Sequence, residues 1–355
     1  MTGTAPQIKT AKHPGNILNP VIPGAGTTAA WTGLGGDSLA LAVVNTASGH
    51  SGLLCVITPD MQSAELLRDQ AAFFMDGGDL PVDIFPDWDT LPDDNFSPHP
   101  DIISDRLACL YRLSGQKHGL LIISASTLMQ RLPPRDYVEQ NSLVLNTGEH
   151  LDLEQMRTRL DDAGYRCVSQ VMEHGEFAVR GSLLDIYPMG SSLPFRIDLF
   201  DEEIEALKIF DPETQRTVES RDSLRLLPAR EFPLHEAAIR RFRQGFRASF
   251  SGNPQNCPVY RDVSKGIAPA GIEYYLPLFF DHTCTVFDYL PKDACILKLD
   301  ATDTACAEFG GRLLERYEHR RHDIETPVLP PELLYLDSGR LDELLSGFPR
   351  IDIRP

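Results

Sequence analysis

The sequence predicts a multidomain α/β and α+β chain in which a parallel α/β domain is split by an inserted antiparallel α+β domain. Three observations lead there. Apolar runs alternate with helical periods between Gly52 and Ser124, the strand–helix–strand order of a parallel sheet covered by helices. Several strand patterns then follow one another up to Phe210 with only short turns between them, as in an antiparallel meander. Helical periodicity and one more buried strand return after Phe232, so the first pattern resumes once the meander ends.

Residues 1–30 are small, polar and rich in Gly, Pro and Thr, and read as a flexible arm. The first α/β domain is expected over 31–147, with LLCVIT, VDIF and GLLIIS as strands and SAELLRDQAAFF and DIISDRLACLYRL as helices. The inserted domain is expected over 148–228. Its LEQMRTRLDDAGY stretch reads as a helix stopped by Gly164. Strands are then expected at Val179 to Tyr187, Phe195 to Phe200 and Ile204 to Phe210, joined by the turns PMGSSLP and DEE. The last unit, 229–355, places Phe242, Phe246 and Phe250 at helical i, i+4 spacing, followed by a buried strand CILKL and a helix AEFGGRLLERYEHRR. Its closing RIDIRP reads as the start of something longer, so the chain is expected to be a piece of a larger protein.

Charge narrows the function classes. With 51 acidic and 33 basic residues the net charge is -18, a surface that repels phosphate backbones unless basic residues cluster. The seven cysteines, Cys55, Cys109, Cys167, Cys257, Cys284, Cys295 and Cys306, have no zinc-knuckle or redox spacing and read as reduced, mostly buried thiols of a cytoplasmic protein. No apolar run reaches the ~18 residues of a membrane span, and the opening residues lack the apolar core of a secretion signal.

Catalytic signatures are missing where they would be expected. A phosphate loop needs GxxxxGK(S/T), because backbone amides cradle the phosphates while Lys and a hydroxyl hold the terminal phosphate and its magnesium. The nearest stretch, TGLGGDSLAL, has Gly33, Gly35 and Gly36 but no Lys, and Asp37 sets a carboxylate where phosphate would sit. It reads as a turn before a helix. Asp83, Asp87, Asp89, Asp93, Asp94 and Asp101 match no metal loop and read as a solvated acidic loop. His99, His174 and His235 have no nucleophile motif nearby and read as structural or solvated. The Arg-rich stretch IRRFRQGFR raises nucleic-acid contact, against the simpler reading of a solvated helix face over a Phe stripe. No catalytic residue, cofactor or metal is expected.

Three stretches, FPDWDTLPDDNFSPHPDIISDRL, QVMEHGEFAVRGSLLDIYPMGSSLPFRIDLFDEEIEALKIFD and SKGIAPAGIEYYLPLFF followed by FDYLP, resemble the bacterial transcription-repair coupling factors. The resemblance runs from about Gly52 to Gly310. The middle stretch also resembles the excinuclease protein UvrB, whose corresponding domain shares a partner with the coupling factors, the excinuclease protein UvrA. The resemblance implies an amino-terminal, UvrB-like module: a degenerate RecA-like domain, 1a and 1b, split by a UvrA-binding domain 2. UvrB has an acidic pair after its FDYLP-like segment, whereas KDACILKLDAT offers Asp300 alone. The segment PDWDTLPDDNFSPHPD, acidic and proline-rich, stands where UvrB has an aromatic damage-probing hairpin. The implied function is recruitment of UvrA in nucleotide excision repair, without ATP hydrolysis by this chain. RNA polymerase and DNA would be reached only through further domains of the full-length family protein, an ATP-dependent translocase. The rival readings are an ATP-driven helicase fragment and an independent DNA-binding protein.

Strand alternation sends Phe195, Ile197 and Leu199 of FRIDLF to one face and Arg196, Asp198 and Phe200 to the other. The first is a core face; the second shows an Arg beside an aromatic, a pairing enriched at binding hot spots. In the coupling-factor family the UvrA-contacting residues match Arg180 in AVRG, Arg196 in PFRID and Phe200 in DLFDEE. The expected roles are guanidinium–carboxylate pairing for the two arginines and apolar packing for Phe200. The competing reading pairs the arginines with Asp185, Asp198 or Glu202 and folds Phe200 into a minor core.

Overall fold

The computed structural model describes residues 15–16, 18–24, 26–75, 78–92, 94, 96–323 and 325–354. A short antiparallel pair, β1 (Gly15–Asn16) and β2 (Asn19–Pro20), opens them. Next come β3 (Thr28–Thr32), β4 (Leu53–Thr58), β5 (Val82–Phe85) and β6 (Gly119–Ser124), with helices Asp37–Gly49, Met61–Met75 and Pro100–Gly115 between them. β7 (Leu143–Asn146) leads to helix Leu153–Asp162 and then to β8 (Arg166–Cys167), β9 (Glu176–Arg180), β10 (Leu183–Ile186), β11 (Phe195–Phe200), β12 (Glu203–Phe210) and β13 (Thr217–Arg221). β14 (Ser223–Leu226) returns antiparallel to β7, zipping together the way into and out of the inserted domain. Helix Glu236–Ser249, β15 (Cys295–Lys298), helix Thr302–Arg320 and β16 (Arg350–Arg354) complete the chain.

The six-stranded parallel sheet has the order β3-β16-β15-β4-β6-β5, so strands from before and after the insertion build one sheet. β4 and β6 are buried along their whole length, as strands covered on both faces must be. Alternate residues feed two cores: Leu53, Cys55, Ile57, Leu121 and Ile123 one, and Leu54, Val56, Leu120 and Ile122 the other, which Trp31, Val43 and Ile351 join. The first core runs on without a break into the inserted domain, taking in Met156, Leu160, Phe177, Ile186, Ile197 and Leu207.

Several expectations need correction. The arm over 1–30 is not loose throughout: residues 1–14 lie outside the described residues, but Thr28–Thr32 pairs with β16 and Ile22 packs against the second core. The RIDIR stretch supplies β16, between β15 and β3 with Ile351 fully buried. The single strand expected over Val179–Tyr187 is the hairpin β9–β10, because Gly181 takes φ 62° and turns the chain between Arg180 and Leu183. The acidic run is also not simply solvated. Asp83 pairs with Arg112 at 2.6 Å, Asp94 with Arg316 at 2.9 Å and Asp101 with His174 at 2.6 Å, while Asp87 accepts from Ser126 and Gln130. Asp93 lies outside the described residues.

One buried ion pair fixes how the inserted domain leaves the parallel one. Arg106, on helix Pro100–Gly115, donates from Nε to Glu231 Oε1 at 2.7 Å, and both side chains have no exposed surface. Trp88 Nε1 donates to the other oxygen at 3.0 Å, Arg106 Nη1 donates to the Pro86 carbonyl, and the guanidinium lies 4.6 Å from the Phe85 ring centroid. Glu231 follows β14 by five residues, so the contact pins the returning chain to the helix and to the loop after β5. On the other side Gly190 meets the same helix; with φ 80° and a Cβ position only 3.0 Å from that of Ala108, the site admits no side chain without displacement. We expect Arg106→Ala to cost about 3–5 kcal/mol in urea unfolding, because it strands a buried carboxylate, and Arg106→Met with Glu231→Leu to recover most of that.

A second buried carboxyl is poised differently. Glu273 accepts from Ser97 at 2.7 Å, and Ser97 in turn accepts from the Gly271 amide at 3.0 Å. Burial pushes its pKa up to about 7, with neighbouring Glu231 adding to the rise and the Ser97 bond and Arg230 opposing it. A carboxyl whose folded pKa lies above its unfolded one contributes stability in full below the unfolded pKa and loses it as pH rises towards the folded value. Glu273→Gln is therefore expected to match the parent at pH 4 and to exceed it by roughly 2 kcal/mol at pH 8.5 in paired denaturant titrations.

Candidate protein-docking face

The inserted sheet runs β13-β12-β11-β10-β9-β8, antiparallel apart from the β8–β9 pair. Its inner face is core: Phe195, Ile197 and Leu199 of β11 are 7%, 0% and 6% exposed, as alternation demands. Register places the outward residues in rows. Ala178, Asp185, Arg196 and Lys208 lie opposite one another across β9 to β12, and Arg180, Leu183, Asp198 and Ala206 form the next row. Phe200 stands opposite Glu203 at the end of the β11–β12 hairpin.

Part of this outer face is roofed. Val171 joins Ala178 and Phe210 in a small separate core, with Val168 and Tyr187 packed against it. Glu176 holds the roof, accepting from the Met172 and Glu173 amides at 2.8 and 3.0 Å and from Arg166. Beyond the roof the face is open, and Phe200 is 70% exposed. The turn that carries Phe200 is tight, with Asp201 at φ 54°, a left-handed conformation that Asp tolerates. It is tied to the base of the insertion through Ile204 N to Glu149 O at 2.8 Å, Leu151 N to Glu202 O at 2.6 Å and His150 to Glu202 at 2.7 Å. A large aromatic side chain is thus held out into solvent by a braced hairpin. It does not fold back into the minor core, where Phe210 lies instead.

The two arginines are held within the sheet to different degrees. Arg196 makes a two-pronged pair with Asp185, Nε to Oδ1 at 2.7 Å and Nη2 to Oδ2 at 2.8 Å, which keeps it charged. The competing pairing is therefore present for this residue, and a partner would meet an arginine that already has a carboxylate. Arg180 is exposed and donates to the Ser169 carbonyl; among the described residues no carboxylate lies within ion-pair distance of it. Asp198 pairs with Lys208. Asp185 is one of the partners that the competing reading offered, and its register explains the pairing: with Gly181 as a turn between β9 and β10, Asp185 falls opposite Arg196.

Side chains of the other candidate sites also make contacts within the chain. In the Gly-rich stretch, Ser38 Oγ accepts from Gly35 N at 3.1 Å and Asp37 accepts from Gln70 at 3.1 Å, at the start of helix Asp37–Gly49. On helix Glu236–Ser249, Arg240 pairs with Glu236 and Arg241 with Asp281, and Arg247 lies 5.7 Å from the Tyr260 ring centroid. His99 and His235 cap helices, accepting from Asp101 N and Ala238 N. Five of the seven cysteines are buried; Cys284 is half-buried and Cys167 exposed. Among the described residues no group of three or more His, Cys, Asp or Glu is placed to hold a metal, and no helix is long and apolar enough to cross a membrane.

The family model described as the UvrB interaction domain matches residues 143–232. Those limits enclose β7 to β14 and end one residue beyond Glu231. The transcription-repair-coupling factor of Escherichia coli K12 is 44% identical over 322 residues, 90% of this chain and 28% of that protein. That of Haemophilus influenzae Rd is 41% identical over 351 residues, 98% of this chain and 29% of that protein. That of Rickettsia bellii is 30% identical over 297 residues, 82% of this chain and 26% of that protein. The chain therefore spans a little over a quarter of the length of these relatives.

The geometry separates presentation from folding. Phe200→Ala is expected to change unfolding free energy by no more than about 0.5 kcal/mol, as at other exposed positions. Three residues away, Ile197→Ala is expected to cost about 2–4 kcal/mol, measured for both variants by urea unfolding followed by circular dichroism.

Proposed function

Related over nine-tenths of its length to transcription-repair-coupling factors, this chain carries the UvrB-like amino-terminal module of that family, and we propose that it is a non-catalytic docking module that recruits UvrA in transcription-coupled repair. The observation that carries this reading is the exposed Phe200, braced at the hairpin tip on the sheet face that also carries Arg180 and Arg196, within the stretch that matches the UvrB interaction domain. An aromatic that shares a face with two guanidiniums is a hot-spot composition, and it suits a partner surface that offers an apolar recess with carboxylates around it. Phe200 enters the recess, Arg180 takes a rim carboxylate, and Arg196 adds a second contact from its paired position.

The parallel sheet acts in this reading as a degenerate RecA-like support and not as a motor. Its Gly-rich loop lacks a Lys and carries the carboxylate of Asp37 in its place, so the chain hydrolyses no ATP itself. Contacts to RNA polymerase and DNA belong to the parts of the longer relatives that this chain does not span. It works in the cytoplasm, where the repair machinery lies.

Calorimetric titration of UvrA into the chain tests the proposal. The intact chain should bind with a defined stoichiometry, and Phe200→Ala and Arg180→Ala, both folded, should each weaken binding about tenfold or more, the ~1.4 kcal/mol or greater expected of a hot-spot residue. Binding unaffected by either substitution would exclude this face, and no binding by the intact chain would exclude the partner.

A further inference from the structure

Arg196 is the least free of the side chains on the docking face. Asp185 takes the side edge of its guanidinium with two hydrogen bonds and is itself only 2% exposed. One flat face of the guanidinium lies over Phe210, 4.9 Å from the ring centroid, and Phe210 is fully buried in the small roof core. A guanidinium has five N–H groups in a rigid fork. Asp185 uses two of them, so the end-on edge formed by the two Nη groups stays available to a second carboxylate, and the side chain keeps 20% of its surface exposed.

We propose that Asp185, with Phe210 beneath the guanidinium, is the positioning residue of this docking face: it aims the end-on edge of Arg196 at a partner carboxylate and cancels the charge of Arg196. This rests on the docking reading above and adds a division of labour to it. Two cations of the face are neutralised within the sheet, Arg196 by Asp185 and Lys208 by Asp198. Arg180 is held only by the Ser169 carbonyl, so long-range attraction to an acidic partner falls to Arg180 and geometric selection falls to Arg196.

The proposal reverses the sign of an electrostatic expectation. Asp185→Asn removes a negative charge from the face, which by charge alone would tighten binding to a carboxylate-bearing surface. Loss of positioning weakens it instead. UvrA is titrated against the parent, Asp185→Asn, Arg196→Ala, the Asp185→Asn, Arg196→Ala double variant, Phe210→Leu and Arg180→Ala at two salt concentrations, with a thermal melt of each. Expected are about tenfold weaker binding for Asp185→Asn, no further loss when it is added to Arg196→Ala, and a smaller loss for Phe210→Leu, which alters no charge. Arg180→Ala should flatten the salt dependence and Arg196→Ala should leave it in place. Parent-like or tighter binding by Asp185→Asn overturns the proposal, as does an undiminished effect of Asp185→Asn in the Arg196→Ala background. Should Asp185→Asn fail to fold, Phe210→Leu decides: parent-like binding by that folded variant overturns positioning. No binding by the parent removes the docking reading itself, an outcome separate from any pattern among the variants.

Discussion

The buried Arg106–Glu231 pair is the constraint on which the arrangement of this protein turns. An ion pair with no exposed surface is costly to desolvate and relies on further hydrogen bonds to offset that cost; here Trp88 and the Pro86 carbonyl supply them, while Arg106 Nη2 has none among the described residues. Because Glu231 lies just past β14, the pair sets where the chain leaves the inserted domain. The antiparallel pairing of β7 with β14 sets the way in beside it. With both connections fixed, one core runs from the parallel sheet through the inserted sheet.

Those ties bear on the proposed binding. Ordering flexible side chains at an interface costs roughly 0.5–1.5 kcal/mol each, and this face has already ordered most of its own. The hairpin tip is tied to Glu149 and Leu151, Arg196 is clamped by Asp185 over Phe210, and Arg180 is tethered to the roof at Ser169. Phe200, with two side-chain torsions, gives a large apolar contact for little further entropy. Ion pairs inside the face also temper a partner's electrostatic pull, so recognition depends on where groups sit as much as on their charge.

Much of this is legible in the sequence, and the gaps have physical reasons. LLCVIT and GLLIIS stand out because both faces of their strands are buried, and FRIDLF because only one is. The outward placement of Phe200 follows from period two alone. The β9–β10 turn escapes notice because Arg180-Gly181-Ser182 interrupts an otherwise strand-like run by a single glycine at positive φ. β3 and β16 are hidden because they come from opposite ends of the chain, and parallel pairing over such a separation leaves no local pattern. Asp83, Asp94 and Asp101 read as solvated because each of their partners, Arg112, Arg316 and His174, lies on a different element.

Hydrogen–deuterium exchange of the chain with and without UvrA tests the central claim most directly, since it reports where a partner sits without presuming which residues matter. The account predicts added protection confined to β9 through the β11–β12 hairpin, strongest around Arg180 to Leu183 and Phe200 to Glu203, with the parallel sheet unchanged. Protection centred on the Gly33–Asp37 loop or on helix Glu236–Ser249, with the hairpin unchanged, would contradict it.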